Sequence, residues 1–344
     1  MTEVIVKSVT ILDYPTQTLF FQPVKAAVKR KRTVHFVVIP GNPSCCVFYI
    51  PFLKVLAPFL HSSRPDINWV FHVCSYAGQG VTSRLNTSEG NEDVSQTLHG
   101  QVLHKIAFVD YVLQKEGGEG DGLVFAGHSI GCHMINKLLL MRSDFLSRTE
   151  HVFHMLPFIR IKKILLHRLV ANFPSLAQQI LGAGARLIST TGFIGRFVAN
   201  VVMEHALSIK DPVGRKVAYD SFTNVPFTEN FIRLGSDEMN LVPEKFNLED
   251  LKQVLTKCGI TFVYGGGDQW APKCHFDELV ERKKRGEFLC GRSNDLNLIY
   301  NERVKHDFCV RERFQNDFVA GLIGGVIGGL KHVKNGEWGR MSKL

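Results

Sequence analysis

The sequence predicts an α/β fold, with a mostly parallel central sheet, helices on both faces and an inserted helical cap. Three observations carry this. Short apolar, β-branched runs alternate with helix-spaced apolar runs between residues 33 and 141, the pattern of βαβ units. The alternation fades between 150 and 240 and returns at Ile260. A Gly-His-Ser-Ile-Gly turn joins one strand directly to one helix. The 344 residues therefore read as one domain, 1–344, with the cap at 150–240.

The elements follow in order. Val4, Val6, Val9 and Ile11 alternate with other residues, and Leu19, Phe20 and Phe21 come next, which suits one or two antiparallel strands within 1–32. The basic run Lys29-Arg30-Lys31-Arg32 then reads as a solvated turn. Thr33 to Ile39 has the length and β-branched content of a buried strand, and Pro40-Gly41-Asn42-Pro43 ends it. A helix over 46–61, a strand over Asn68–Cys74, a polar loop over 75–93 and a helix from Val94 to Gln114 come next. The turn Gly117–Gly120 leads to a short strand, Leu123–Ala126, and residues 132–141 form an apolar helix. Residues 158–208 carry helical patterns broken by Pro174, Gly182, Gly184, Gly192 and Gly195. Ile260–Tyr264 and Leu296–Tyr300 read as strands, and a terminal helix starts near Arg311.

Gly127-His128-Ser129-Ile130-Gly131 fits G-x-S-x-G, the nucleophile elbow of the α/β-hydrolase fold. A serine on a tight strand-to-helix turn has strained backbone angles, and glycines two positions away on either side leave room for it. The following helix aims its positive end at the anion formed on attack. An intermediate of this kind needs two N–H donors. Ile130 supplies one. Pro40 and Pro43 have no N–H, so Gly41 and Asn42 are the local candidates for the other, and Asn42 is favoured.

In this fold the chain order is serine, acid, histidine. Asp268 follows the strand Ile260–Tyr264 and three glycines, whereas Asp220, Asp237 and Asp250 follow no such strand. His306 follows the last strand by a short loop. His275 lies too close to the acid and His332 too near the end of the chain. A free histidine of pKa about 6.5 can take the serine proton and return it. His128 is held beside the serine on the wrong side of the turn to act as the base.

These residues resemble the lipid droplet-associated hydrolase family. The resemblance rests on Ile39-Pro40-Gly41-Asn42-Pro43 with Phe48-Tyr49-Ile50-Pro51-Phe52, on Gly127–Gly131, on Tyr264-Gly265 with Asp268, Trp270, Pro272 and Lys273, and on His306 with Phe308. It implies an α/β-hydrolase with a Ser129–Asp268–His306 triad. It also implies association with lipid droplets or endoplasmic reticulum, and action on sterol esters or acylglycerols. Two other readings stay open: a lipid-surface binding protein with a weak or vestigial site, and an acyl-thioesterase or acyltransferase using the same triad.

Composition sets the remaining expectations. The chain is 45% hydrophobic and 21% charged, with a net charge of +9. The positive charge is spread out and no RNA or DNA motif accompanies it, so nucleic acid is not an expected partner. Eight cysteines show no C-x-x-C spacing and read as reduced thiols, with neither metal nor organic cofactor implied. The N-terminus lacks a secretory apolar core, and no stretch reaches the ~18 uninterrupted apolar residues of a spanning helix. Residues 176–203 are apolar with Arg186 and Arg196 interspersed, which suits either cap packing or a bilayer interface, and Phe318–Leu330 is too short to span. Ser342-Lys343-Leu344 matches the tripeptide read by the peroxisomal import receptor, which sets a peroxisome-type address beside the lipid droplet one.

Overall fold

Consecutive apolar residues, rather than alternating ones, mark strands buried on both faces. In Arg32–Ile39 every residue from Val34 onward is buried, and all of Gly122–His128 and Gly259–Gly265 is buried. The computed structural model describes residues 2–23, 32–79, 97–118, 120–162, 174–206, 209–210, 212–290 and 295–329. Within these, eight strands form one sheet in the order β1-β2-β4-β3-β5-β6-β7-β8. They are β1 (Thr2–Ile11), β2 (Tyr14–Pro23), β3 (Arg32–Ile39), β4 (Ile67–Cys74), β5 (Gly122–His128), β6 (Thr149–Met155), β7 (Gly259–Gly265) and β8 (Leu296–Asn301). β1 and β2 form an antiparallel hairpin, β2 runs antiparallel to β4, and the pairings from β4 to β8 are parallel.

Helices cover both faces. On one face α2 (Leu98–Lys115), α3 (Ile130–Met141), the short α4 (Ser143–Arg148) and the Leu248–Leu255 helix pack on Val37, Ile39, Phe125, Val152 and Phe262. On the other, α1 (Ile50–Ser63) and the terminal Arg313–Ile327 helix pack on Phe36, Val38, Val124 and Phe153. The helix expected at 46–61 is a 3-10 turn, Cys46–Tyr49, running into α1. Together they are long and apolar enough to cross a membrane, yet Phe52, Leu53, Leu56, Ala57 and Leu60 are buried in the core. The helix expected from Val94 starts at Leu98, where the Thr97 side chain accepts from the Gly100 amide and caps it. Phe318–Ile323 is core, and a side chain at Gly324 would run into the Phe59 ring.

Two expectations need correction. The cap does not begin at 150: Thr149–Met155 is a strand inside the parallel sheet, between β5 and β7. Glu150, His151 and His154 interrupt its apolar run, and pairing on both sides stabilises it despite them. Nor do Gly182, Gly184 and Gly195 break helices. Gly182 and Gly184 lie within α5 (Pro174–Thr190), and Gly195 lies within α6 (Gly192–Val201). Gly192, at φ +55°, marks the join between them. The cap region also holds α7 (Pro212–Phe222) and α8 (Val225–Leu241). Lys29–Lys31, residues 80–93, His332 and Ser342–Leu344 lie outside the described residues.

Candidate active site

Ser129 sits where β5 meets α3, at φ 54° and ψ −123°, a region that costs an L-residue energy and must be imposed by its surroundings. The Ser129 amide donates to the Met155 carbonyl at 3.1 Å, and the Ser129 carbonyl accepts from Cys132 at 3.1 Å and Phe158 at 3.0 Å. The end of β6 therefore braces the elbow. A side chain at Gly127 would lie 2.7 Å from the Cys132 backbone, and one at Gly131 would strike the Ile39 carbonyl oxygen. Both glycines are needed for close approach.

Asp268 follows β7 through Gly267, whose φ of +68° turns the chain. One carboxylate oxygen, Oδ1, accepts from the Trp270 amide at 2.8 Å and the Ala271 amide at 3.0 Å. The other, Oδ2, lies 2.7 Å from His306 Nδ1. Burial by itself would raise this carboxyl, but the His306 imidazole and the two amides outweigh it and hold the group below its ordinary value. His306 lies between β8 and the Phe308–Val310 turn, and its Nε2 is 2.9 Å from Ser129 Oγ. With Nδ1–H donating to a carboxylate, Nε2 is left as the acceptor for the serine hydroxyl.

The loop after β3 supplies the third part. The Gly41 amide donates to Tyr49 Oη at 3.2 Å. The Asn42 and Ile130 amides meet no acceptor among the described residues. Asn42 is held by its side chain: Nδ2 donates to the Phe231 carbonyl at 3.1 Å, and Oδ1 accepts from Gln79 Nε2 at 2.9 Å. Gln79 also donates to Asn230 Oδ1 at 3.1 Å and accepts from the Ser44 amide at 2.8 Å. The loop is thus tied to α8. On the same helix Glu238 is buried, and burial lifts its carboxyl well above the usual range, partly opposed by the Asn42 side chain. Sequence reasoning missed Gln79 and Asn230, which lie 151 positions apart with no local pattern to join them.

The structure thus brings Ser129, His306 and Asp268 together, with Asn42 alongside. The competing acids are engaged elsewhere: Asp220 with Lys216 at 2.6 Å, Asp237 with the Leu98 amide at 2.6 Å, and Asp250 with Lys137 at 3.2 Å. His275 packs against Phe246. All eight cysteines are free thiols. Among the described residues no group of three or more His, Cys, Asp and Glu is arranged to hold a metal ion. A cavity of about 360 Å³, lined by Leu98, Val102, His133, Asn136 and Phe246 among others, includes none of Ser129, Asp268 and His306.

Comparison with solved structures supports the fold. The peroxisomal alpha-beta-hydrolase Lpx1 from Saccharomyces cerevisiae superposes with a TM-score of 0.61 at 11% identity, over 97% of this chain and 91% of that one. A thermophilic esterase from Thermogutta terrifontis gives a TM-score of 0.56 at 11% identity, over 95% of this chain and 99% of that one. This is the α/β-hydrolase fold. In sequence, the lipid droplet-associated hydrolase of Homo sapiens is 26% identical over 291 residues, covering 78% of this chain and 80% of that protein. That of Gallus gallus is 28% identical over 296 residues, covering 79% and 85%. Family and fold together support a hydrolase role. The family model for lipid-droplet associated hydrolases matches residues 32–309, most of the sheet and every residue of the site above, and the chain belongs to that family.

Proposed function

We propose that the protein hydrolyses carboxylic esters of lipids through an acyl-enzyme on Ser129. The observation that carries this is the unbroken run of hydrogen bonds from Ser129 Oγ through His306 to Asp268, at the C-terminal edge of the parallel strands, where open α/β sheets bind ligands. Ser129 Oγ attacks the ester carbonyl carbon as its proton passes to His306 Nε2. Asp268, beside the Nδ1–H, favours the imidazolium. The Asn42 and Ile130 amides receive the oxyanion. Collapse breaks the ester C–O bond, and His306 returns the proton to the leaving alkoxide. Water then attacks the acyl-enzyme with the same proton traffic, releases the acid and restores the serine.

The ester proposed is a sterol ester or an acylglycerol; a lipid setting is supported by the relatives' name, lipid droplet-associated hydrolase, and by the cap. On α5 and α6, Leu187 is 66% exposed, Phe197 61% and Val198 51%, with Arg186 and Arg196 also exposed nearby. Apolar side chains flanked by arginines suit the boundary between acyl chains and phosphates. The partner is then a lipid droplet or endoplasmic reticulum surface.

A fluorophosphonate probe on the purified protein tests the serine. Labelling that disappears in Ser129→Ala supports the reading, and an unlabelled wild type favours a lipid-surface binding protein. A panel of lipid esters and acyl thioesters then separates esterase from thioesterase. Flotation with droplets or liposomes should weaken in the Phe197→Ser, Val198→Ser double variant, and unchanged flotation removes the cap as the contact surface.

A further inference from the structure

Two pieces of sequence stand outside this mechanism: the Phe48–Phe52 stretch and the histidine just before Ser129. The fold brings them together. Tyr49 and His128 are both buried. His128 Nε2 lies 2.6 Å from the His306 carbonyl oxygen. A carbonyl only accepts, so Nε2 carries a proton. Burial pushes the His128 ring down to about 3, so it is neutral near pH 7 and holds that one proton. Nδ1 is therefore a bare acceptor, and the Tyr49 hydroxyl, 2.7 Å away, donates to it. The Tyr49 oxygen in turn accepts from the Gly41 amide at 3.2 Å. Every proton in the run has one placement.

The relay joins three distant parts of the chain. It starts on the loop that offers the Asn42 amide, passes behind Ser129 and ends on the backbone of His306. Little slack remains around it. A side chain at Gly41 would lie 3.0 Å from Ser129 Cβ and 3.4 Å from His128 Nδ1. The Phe308 ring meets His128 edge-on with centroids 5.2 Å apart, and Phe52 meets Phe308 at 5.8 Å. In such a water-poor setting an unmade hydrogen bond is costly, so the three segments keep one spacing.

We propose that Tyr49 and His128 are positioning residues, whose Gly41–Tyr49–His128–His306 hydrogen-bond relay holds the base in register with the nucleophile and the oxyanion loop. This rests on reading Ser129, His306 and Asp268 as the triad. Neither side chain hydrogen-bonds Ser129 Oγ or a ring nitrogen of His306, although the His128 ring lies beside the His306 ring with centroids 5.3 Å apart. Their hydrogen bonds run to main chain, Tyr49 to the Gly41 amide beside Asn42 and His128 to the His306 carbonyl. The relay also gives a physical role to the tyrosine of the Phe48–Phe52 stretch and to Phe308 after His306.

The test uses the full-length protein. Nitrogen-15 NMR of the wild type should show His128 as the neutral Nε2–H tautomer. Tyr49→Phe strips the donor from His128 and the acceptor from Gly41. Its kcat and fluorophosphonate labelling rate should fall by about 10- to 100-fold, the scale of a small misplacement at a reacting centre, with KM within about two-fold. His128→Gln keeps a donor where Nε2 stood, and His128→Asn keeps only an acceptor near Nδ1. Gln should therefore retain the higher kcat. A doubly protonated or Nδ1–H His128 overturns the proposal, as does a folded Tyr49→Phe with wild-type kcat. Should Tyr49→Phe fail to fold, the tautomer and the Gln-over-Asn order decide, and equal Gln and Asn variants count against the relay. A wild type that is not labelled at all overturns the triad reading and this proposal with it. A reactive wild type with indifferent variants overturns the relay alone.

Discussion

Replacing Asp268 with asparagine changes almost nothing in shape and should nearly abolish turnover. Oδ1 of Asp268 accepts two main-chain N–H groups, from Trp270 at 2.8 Å and Ala271 at 3.0 Å, while Oδ2 faces His306 Nδ1 at 2.7 Å. In the variant, the amide NH₂ cannot face two donors, so the carbonyl oxygen must stay on the Trp270 side. The NH₂ then donates to His306 Nδ1, and the ring proton moves to Nε2. An Nε2–H pointing at Ser129 cannot take the hydroxyl proton. The equivalent exchange in a Ser-His-Asp site costs about 10⁴-fold in kcat, or about 5.5 kcal/mol at ~1.36 kcal/mol per ten-fold. Stability follows a separate rule. The folded carboxyl sits below its ordinary 3.8, so its contribution is complete above that value and is lost as pH falls through the folded one. Asp268→Asn should therefore differ from wild type most near pH 7 and least in strong acid. Ester turnover and probe labelling at pH 7.5, with thermal melts at both pH extremes, make the measurement. A folded Asp268→Asn protein within about ten-fold of wild-type kcat refutes the argument.

Other perturbations separate the remaining parts. Ser129→Gly and Ser129→Ala should both lose labelling, but the glycine variant should be more stable by about 1 kcal/mol, since only alanine keeps a Cβ at φ 54°. Equal melting temperatures would show that the elbow stores no such strain. Gln79→Ala removes the tie between Asn42, Asn230 and the Ser44 amide. It should cost about 1–3 kcal/mol of stability and lower kcat by about ten-fold through the loosened oxyanion loop. An unchanged kcat would detach α8 from catalysis. His154 lies inside β6 with neither ring nitrogen partnered among the described residues, and burial pushes it down to about 3. Stability from a neutral histidine is complete above its unfolded pKa of about 6.5 and is lost as pH falls toward the folded value, by about 2 kcal/mol at pH 5. His154→Met removes that loss. Denaturant titrations should show the variant gaining on wild type by about this amount between pH 7.5 and pH 5, and a gap independent of pH would contradict it.

Much of the fold was legible because it was written locally. The elbow is an apolar strand, a Gly-His-Ser-Ile-Gly turn and an apolar helix in direct succession, and the structure has β5, the turn and α3 at those residues. Asp268 and His306 could be chosen as the candidate acid and base because each follows an apolar strand end, β7 for Asp268 and β8 for His306. β6 was not legible. Its histidines and glutamate hide the apolar run, and its partners β5 and β7 come from sequence far to either side. His151, for example, is satisfied by Thr261 at 2.8 Å, 110 positions away.

What the sequence by itself determined is the order of the sheet's other strands and their helices, the strained turn at Ser129, and the short list of candidate acids and histidines; β6 was not among those strands. Those follow from chain-local chemistry: side-chain periodicity, prolines that stop strands, glycines that permit turns. Only the tertiary structure decided that Gly41 would feed Tyr49, that His128 would grip the His306 backbone, and that Gln79 would tether Asn42 to α8. These are hydrogen bonds between segments far apart in sequence. They exist because sheet pairing and core packing close the loops between them, and nothing in the neighbouring residues records where a distant segment will come to rest.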